Sequence, residues 1–178
     1  DFWPRIRAAT RKHGTLLIAD EVQTGLGRTG KLWGVEHWDV EPDIIAVAKS
    51  LGGGVMPICA VCSTEEIFYK IMYPNPFMQT TTTGGGALAC SAAIAAINIT
   101  LRDRLWEAAA QKGAYLLEKL NEFAAEYPQV YKKITGRGLL IGQHFNTAEI
   151  GYKVAAELFK RGVLVAGTLT NAQAIRIE

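Results

Sequence analysis

The pattern of apolar and polar residues along the chain predicts short strands that alternate with helices. Continuous apolar runs at 15–19 and 44–48 are typical of strands buried on both faces, as in a parallel sheet. The other predicted strands lie at 58–63, 139–145, 162–166 and 174–177. Each run is short, and the segments between several of them are rich in glycine or have helical spacing.

Helical spacing of apolar residues predicts the elements between these strands. An alanine-rich helix is expected at about 87–101, and an amphipathic helix is expected at 104–127, where Pro128 ends it. The other predicted helices lie at 2–13, after the capping residue Thr64, and at 150–160. Because strands and helices alternate, we predict an α/β protein, with a domain boundary near residue 100.

The composition narrows the class of protein. With 49% hydrophobic and 20% charged residues, the 178-residue chain can bury a core, which excludes wholesale disorder. A net charge of +2 gives no basic footprint, so nucleic acid is not an expected partner. The most apolar helical stretch, 87–99, is too short to span a bilayer, and no signal peptide is recognisable. Three cysteines argue against a disulfide framework, so we expect a cytoplasmic protein with no membrane partner.

Two of the predicted strands end in groups of complementary chemistry. Asp20 follows the run at 15–19, and Lys49 follows the run at 44–48 and precedes three glycines. The carboxyl ends of parallel strands meet at the edge of an α/β sheet where ligands bind, so we expect both side chains there. Burial of Lys49 would favour a nucleophilic amine, and a nearby carboxylate can keep a pyridinium nitrogen protonated, as pyridoxal phosphate chemistry requires. The spacing alone leaves open that these are two unrelated charged strand ends.

The motifs around these residues resemble those of the class III aminotransferases of fold type I. The resemblance covers essentially the whole chain, and its motifs are LIADEVQTG at 17–25, GRTG at 27–30, PDI at 42–44, AKSLGGG at 48–54, TTTTGG at 80–85 and LAC at 88–90. Two more segments refine the match within that family: GVMPI at 54–58 and the tail made of 163–169, 171–172 and 175–178.

The resemblance implies pyridoxal 5′-phosphate as the cofactor and roles for five residues. Lys49 would carry the cofactor as a Schiff base and move the substrate proton. Asp20 would pair with the pyridine nitrogen, and Gln23 would hydrogen-bond the phenolic oxygen of the ring. Thr82 would bind the cofactor phosphate in the site of the neighbouring subunit, which implies a homodimer. Arg176 would bind the carboxylate of a 2-oxo acid acceptor through its planar guanidinium.

The resemblance also implies a division of the fold. Residues 1–100 would form part of a large cofactor-binding domain with a mostly parallel sheet, and residues 101–178 would form part of a small C-terminal α/β domain.

The sequence departs from the family pattern at three places. Thr83 stands where the family usually has an aromatic residue, and Gly86 and Ala87 replace an Asn-Pro pair. The Pro-Pro pair that normally follows Arg176 is absent from this chain. Two plainer interpretations therefore stay open, in which Thr82 is an ordinary loop hydroxyl and Arg176 is a surface strand residue.

Other chemical interpretations have less support. Asp20 and Glu21 after an apolar run also fit a Walker B strand, but no P-loop accompanies them and Lys49 precedes its glycines. Cys59 and Cys62 form C-x-x-C within a predicted strand, where their side chains would point to opposite faces. We therefore interpret both cysteines as core residues rather than a redox pair. The histidines lack metal-ligand spacing, and no metal site is expected.

The resemblance implies a transaminase that moves an amino group from a primary diamine, specifically putrescine, to 2-oxoglutarate. Acetylornithine, ornithine and 4-aminobutyrate are the alternative donors. A second hypothesis concerns the chain itself, which begins at Asp1 without a methionine and stops within a predicted strand. On this hypothesis it is a piece of a longer protein and is inactive alone, because the family's glycine/serine phosphate loop and ring-stacking aromatic residue are expected upstream.

Overall fold

The computed structural model describes residues 1–168 and 171–178, which form two compact units. The first unit comprises residues 1–27 and 31–105, and the second comprises residues 28–30 and 106–178. Leu169, a residue of the tail motif, lies outside the described residues.

The α-helices begin and end close to the predicted positions. Their bounds are α1 (Phe2–Lys12), α2 (Glu65–Met72), α3 (Ala87–Arg102), α4 (Leu105–Glu126) and α5 (Ala148–Lys160). Thr64 caps α2 by accepting a hydrogen bond from the Ile67 amide, and Thr147 caps α5 in the same way. None of the helices within residues 1–168 and 171–178 is both long and apolar enough to cross a membrane.

The first unit contains a three-stranded mixed sheet. Its strands are β1 (Ile18–Asp20), β2 (Ile44–Val47) and β3 (Ala60–Ser63), in the order β1-β2-β3. Strands β1 and β2 are parallel, with Asp20 in register with Ala46, whereas β3 is antiparallel to β2. The α/β prediction is confirmed. Of the two strand pairs described in this sheet, one is parallel and one is antiparallel, so the expectation of a mostly parallel sheet is only half met. The segment 48–59 turns tightly back on itself and has no crossover helix, so β3 returns in the antiparallel direction.

The second unit contains a four-stranded antiparallel sheet. Its strands are β4 (Tyr131–Arg137), β5 (Leu140–Phe145), β6 (Ala166–Gly167) and β7 (Ala174–Ile177), in the order β4-β5-β7-β6. A tight turn joins β4 to β5, which makes an antiparallel pair, and β4 is a strand that the sequence pattern did not predict. The predicted strand at 162–166 is largely absent, and β6 begins only at Ala166.

Each unit has its own apolar core. In the first unit Val47, Leu51 and Ala93 are buried together, with partly buried side chains such as Trp33 and Ile58 packed around them. The second core centres on β5 and β7, whose buried residues are Ile141, Phe145, Ala174 and Ile175. The first core lies directly beneath the segment that carries Lys49, and therefore fixes the backbone of the candidate site.

Candidate active site

Asp20 and Lys49 lie at the same edge of the first sheet, as the sequence predicts. Asp20 is the last residue of β1, and its register partner on the neighbouring parallel strand is Ala46, three residues before Lys49. The Glu21 amide donates to the Ala46 carbonyl at 2.9 Å, which continues the pairing past the end of β1. The fold therefore brings a carboxylate and an amine to the carboxyl ends of adjacent parallel strands, where α/β sheets bind ligands.

The backbone of Lys49 has an unusual conformation. Its φ angle is 50°, in the left-handed region that non-glycine residues rarely adopt, and it opens a 3₁₀ turn, Lys49–Gly52. The Leu51 amide donates to the Ala48 carbonyl at 3.0 Å and closes this turn. Val47 and Leu51 flank Lys49 and are both buried in the core. These buried neighbours hold a strained backbone in place at the residue with the candidate amine.

The expected burial of Lys49 is wrong for the described chain, since both Lys49 and Asp20 are exposed. Strand alternation explains the exposure of Asp20, which shares the open face of β1 with Ile18. One Asp20 carboxylate oxygen accepts a hydrogen bond from the Val22 amide at 3.0 Å. Gln23 follows in the turn after β1 and is half-buried. The roles of Asp20, Gln23 and Lys49 stay predictions.

Glu21 forms part of this site in a way that the sequence reasoning, which considered it only as a candidate Walker B acid, did not anticipate. Only 2% of this residue is exposed, and its carboxylate accepts hydrogen bonds from the Thr24 hydroxyl and from the Gly34 and Val35 amides. The period-2 alternation of Leu17, Ala19 and Glu21, all buried, is the signal that reveals it. A carboxylate on the buried face of a strand needs internal partners, so Glu21 is committed to the loop. This environment also argues against a Walker B role.

Thr82 lies elsewhere in the first unit. It is exposed, in the irregular segment 73–86 that precedes α3. Gly86 occupies the N-cap position of α3 and provides no side-chain cap, so the first turn of the helix presents backbone amides beside a threonine-rich segment. Such amides and hydroxyls are suitable donors to a phosphate, but the role of Thr82 stays a prediction.

Arg176 belongs to the second unit, where it lies in the central strand β7. Its register partners are Gly142 on β5 and Ala166 on β6. One guanidinium nitrogen lies 3.6 Å from a carboxylate oxygen of Glu178, and 30% of the Arg176 side chain is exposed. The guanidinium is thus held near one acid and stays accessible to a ligand; its role also stays a prediction.

The cysteines and histidines form no second site among the described residues. Cys59 and Cys62 are both exposed, so their interpretation as core residues is wrong; the strand β3 lies at the edge of its sheet. His144 hydrogen-bonds the Thr135 hydroxyl at 2.9 Å, and burial together with Lys133 and Lys132 lowers its pKa. No cluster of three or more His, Cys, Asp or Glu within the described residues is arranged to hold a metal ion.

The edge residues fit the chemistry of pyridoxal phosphate. An aldehyde requires an amine, which Lys49 supplies at an exposed position, and a protonated ring nitrogen requires a carboxylate, which Asp20 supplies on the neighbouring strand in parallel register. The neighbouring carboxylate, Glu21, is directed to the buried side of the strand and does not compete with Asp20 for the ring nitrogen. The donor set is therefore suited to this cofactor.

Comparisons with known proteins agree with this geometry. The model of the family "Aminotransferase class-III" matches residues 1–177. A putrescine aminotransferase from Pectobacterium atrosepticum is 52% identical over the entire chain, which spans 38% of that relative. Among solved structures, an ornithine aminotransferase from Plasmodium yoelii matches with a TM-score of 0.89 at 32% identity. The match covers 98% of this chain and 45% of that aminotransferase. An acetylornithine aminotransferase from Elizabethkingia anophelis matches with a TM-score of 0.88 at 34% identity. That match covers 99% of this chain and 43% of the acetylornithine aminotransferase.

The family model covers residues 1–177 of the 178-residue chain. The chain therefore belongs to the class III aminotransferase family.

Proposed function

We propose that the protein transfers an amino group from a primary diamine, putrescine, to 2-oxoglutarate, with 4-aminobutanal and glutamate as products. The transaminase assignment rests on the placement of Asp20 and Lys49 at the carboxyl ends of two neighbouring parallel strands. The choice of putrescine is supported by the 52% identity to a putrescine aminotransferase.

Class III aminotransferases use pyridoxal 5′-phosphate, which supplies an electron sink for the carbon that loses its proton. In this chain Lys49 is the proposed covalent attachment point of the cofactor. Its amine would also serve as the base that moves the proton from the donor carbon to the cofactor. The strained backbone of Lys49, held by Val47 and Leu51, fixes the point from which the side chain acts.

Asp20 and Gln23 orient the ring in this proposal. A carboxylate on β1 holds the proton of the ring nitrogen by a charge-assisted hydrogen bond, and the Gln23 amide donates to the phenolic oxygen. Asp20 ends β1 and Gln23 lies in the turn that follows, so both would act on the ring from the same end of the strand.

Thr82 and Arg176 complete the proposed machinery. Thr82 donates its hydroxyl to the cofactor phosphate of a second subunit, which makes a homodimer part of the proposal. Arg176 binds a carboxylate of 2-oxoglutarate through its planar fork, for which lysine is a poor substitute.

The chain spans 38% of the length of the putrescine aminotransferase that it matches, and activity is proposed for a protein of the relatives' full length. We further propose that the 178 residues alone are inactive. Large apolar side chains such as Ile18, Phe77 and Leu88 are exposed in the described structure, which is consistent with missing partners.

A donor alternative is supported by a specific observation. The fold matches an ornithine aminotransferase with a TM-score of 0.89 and an acetylornithine aminotransferase with a TM-score of 0.88, so ornithine and acetylornithine are the alternative donors to putrescine.

Two measurements on the full-length protein test the proposal. Borohydride reduction of the cofactor-loaded protein followed by peptide mapping should place the label on Lys49, and label on another lysine would overturn the site. A donor panel with 2-oxoglutarate should give glutamate from putrescine. Glutamate from ornithine, acetylornithine or 4-aminobutyrate but not from putrescine would reassign the donor. Activity of the isolated 178 residues would refute their proposed inactivity.

A further inference from the structure

Both the side chain and the backbone of Glu21 are held by hydrogen bonds. Its side chain accepts from the Thr24 hydroxyl, from the Gly34 amide at 2.9 Å and from the Val35 amide at 2.9 Å. Its own amide donates to the Ala46 carbonyl at 2.9 Å, and its carbonyl accepts from the Gly25 amide at 3.0 Å. The residue thus ties β1 to β2 on one side and to the loop 24–35 on the other.

The packing around Glu21 leaves no room for adjustment. A Cβ atom on Gly25 would lie 2.8 Å from the Glu21 carbonyl oxygen and 2.9 Å from the Trp33 ring. A Cβ atom on Gly34 would lie 3.1 Å from the Glu21 carboxylate and 2.9 Å from Thr24. The loop therefore approaches Glu21 closely at two glycines, Gly34 beside the carboxylate and Gly25 beside the backbone carbonyl.

We propose that Glu21 is a positioning residue, whose buried carboxylate fixes the turn at the end of β1 and thereby holds Asp20 and Gln23 in their places. This inference rests on the proposed function, in which Asp20 and Gln23 contact the cofactor ring. Asp20 directly precedes Glu21, and Gln23 lies within the turn that the Glu21 hydrogen bonds close. Since β1 alternates, the buried Glu21 side chain anchors the strand from the face opposite to Asp20.

The substitution Glu21→Gln tests the hydrogen-bonding role of the carboxylate without changing how much space the side chain fills. Glutamine has nearly the same size but replaces one acceptor oxygen by an amide donor. The Val35 amide donates to one carboxylate oxygen, and the Gly34 amide and the Thr24 hydroxyl donate to the other. Whichever oxygen becomes the amide nitrogen, one backbone amide would face another donor. The turn would then shift, and a small displacement of Asp20 would alter its bond to the ring.

The test uses the full-length protein with pyridoxal 5′-phosphate as the probe. Glu21→Gln should weaken cofactor affinity and shift the pH midpoint of the visible absorption band, which reports the charge around the ring. It should also lower kcat by roughly 10- to 100-fold, the range expected for misplaced groups. Glu36→Gln is the matched control, because Glu36 also accepts a backbone amide, from Trp33 at 3.1 Å, but is exposed. This control should leave all three readouts unchanged.

A further readout needs no cofactor. Trypsin should cut the cofactor-free Glu21→Gln protein after Arg28 or Lys31 faster than the parent or Glu36→Gln. Should Glu21→Gln fail to fold, Thr24→Val removes one donor from the same carboxylate and should produce smaller changes in the same direction. A folded Glu21→Gln protein with parental cofactor affinity, band midpoint and cleavage rate would overturn the inference while Lys49 labelling stands. Absence of label on Lys49 would instead refute the proposed function, and the cleavage rates would still decide whether Glu21 holds the loop.

Discussion

The sheet of the first unit and the sheet of the second unit use their strands in opposite ways. Strand β5 of the second unit alternates strictly, and its inward residues Ile141 and Phe145 are 1% and 0% exposed. In the first unit, β1 buries Ala19 but leaves Ile18 59% exposed and Asp20 exposed beside it. The second sheet is therefore a packed support, whereas the first keeps one face and one edge open.

This difference shows how a sheet can hold chemistry at an open edge. Where packing does not enclose the side chains, hydrogen bonds to buried or half-buried acids fix the backbone instead. Glu21 ties the loop 24–35 to β1, and Asp43 ties α1 to the start of the same strand. In the second unit, apolar contacts between neighbouring strands hold the backbone, as between the rings of Tyr131 on β4 and Phe145 on β5, whose centroids are 5.1 Å apart.

The largest effect expected from this contrast is on activity, at Lys49. In the full-length protein, Lys49→Ala should lower transamination by at least about 1000-fold, because it removes the proposed proton-transferring base and the attachment point of the cofactor. Since Lys49 is exposed, the free energy of unfolding of the cofactor-free protein should change by less than about 0.5 kcal/mol. Glutamate formation and urea denaturation measure the two quantities. Lys70→Ala, at an exposed lysine of α2, should change neither quantity. A strongly destabilised Lys49→Ala protein would contradict the view that the first unit keeps an open edge while the second is a packed support.

The largest effect on stability is expected at the centre of the second sheet. Phe145→Ala should lower the free energy of unfolding by about 4 kcal/mol, because it leaves a cavity beneath β5 that its packed neighbours cannot fill. Phe159→Ala on α5 is the matched control, since that ring is 68% exposed and its loss should cost less than about 0.5 kcal/mol. Equal losses from the two phenylalanines, measured by urea denaturation, would contradict the view of this unit as a packed support.

A glycine in the second unit tests the same packing from the backbone side. Gly138 has a φ of 51°, and a Cβ atom there would lie 2.4 Å from the Thr29 carbonyl carbon. Gly138→Ala should therefore lower the free energy of unfolding by about 3 kcal/mol through strain and overpacking. Gly162 has a φ of 79° with no neighbour within 4 Å of a built Cβ, so Gly162→Ala should cost about 1 kcal/mol from strain alone. Thermal unfolding measures the loss of stability in both variants. The difference between the two losses is the part that comes from the close contact of the added Cβ with Thr29.

The sequence pattern predicted elements best where apolar residues were continuous or helically spaced. The helices α3 and α4 and the strands β1, β2, β5 and β7 lie close to their predicted positions. Strand β4 was missed because most of its side chains are exposed at the edge of the sheet, with Lys132 and Lys133 in place of apolar residues. Charged residues are common on edge strands, where they oppose aggregation, and they hide the strand from an apolar search. The strand predicted at 162–166 failed for the converse reason, since Leu164 is apolar but 83% exposed.

The candidate site was predictable in its residues but not in its environment. The expectation that Asp20 and Lys49 share an edge followed from two apolar runs and the rule for parallel strands, and the register agrees. The exposure of Lys49 did not follow, because burial depends on which other elements cover the edge. The buried position of Glu21 was not foreseen, because a carboxylate beside Asp20 gives no sign of its own that it faces inward. The alternation of Leu17 and Ala19 before it does give that sign.

The smallest effect is expected at Asp43, and it has a distinct pH dependence. Arg7 donates to both Asp43 oxygens at 2.6 and 2.8 Å, and the Leu17 amide adds a third bond at 2.7 Å. These bonds lower the pKa of Asp43 from 3.8 to about 2, with the Arg7 hydrogen bond as the largest cause. Because the folded pKa is depressed, the stabilisation is complete above about pH 5 and is lost as the pH falls through about 2.

The shift of Asp43 corresponds to about 2 kcal/mol before allowance for solvent, and the 22% exposure of its side chain reduces this to about 1–2 kcal/mol. Asp43→Asn should therefore be less stable than the parent by that amount at pH 7 in urea denaturation, and the difference should vanish near pH 2. Asp103→Asn removes the exposed pair with Arg102 and should produce no measurable change at either pH. A loss for Asp43→Asn that persists undiminished at pH 2 would assign the stabilisation to packing, and the first unit would then resemble the second in what holds it together.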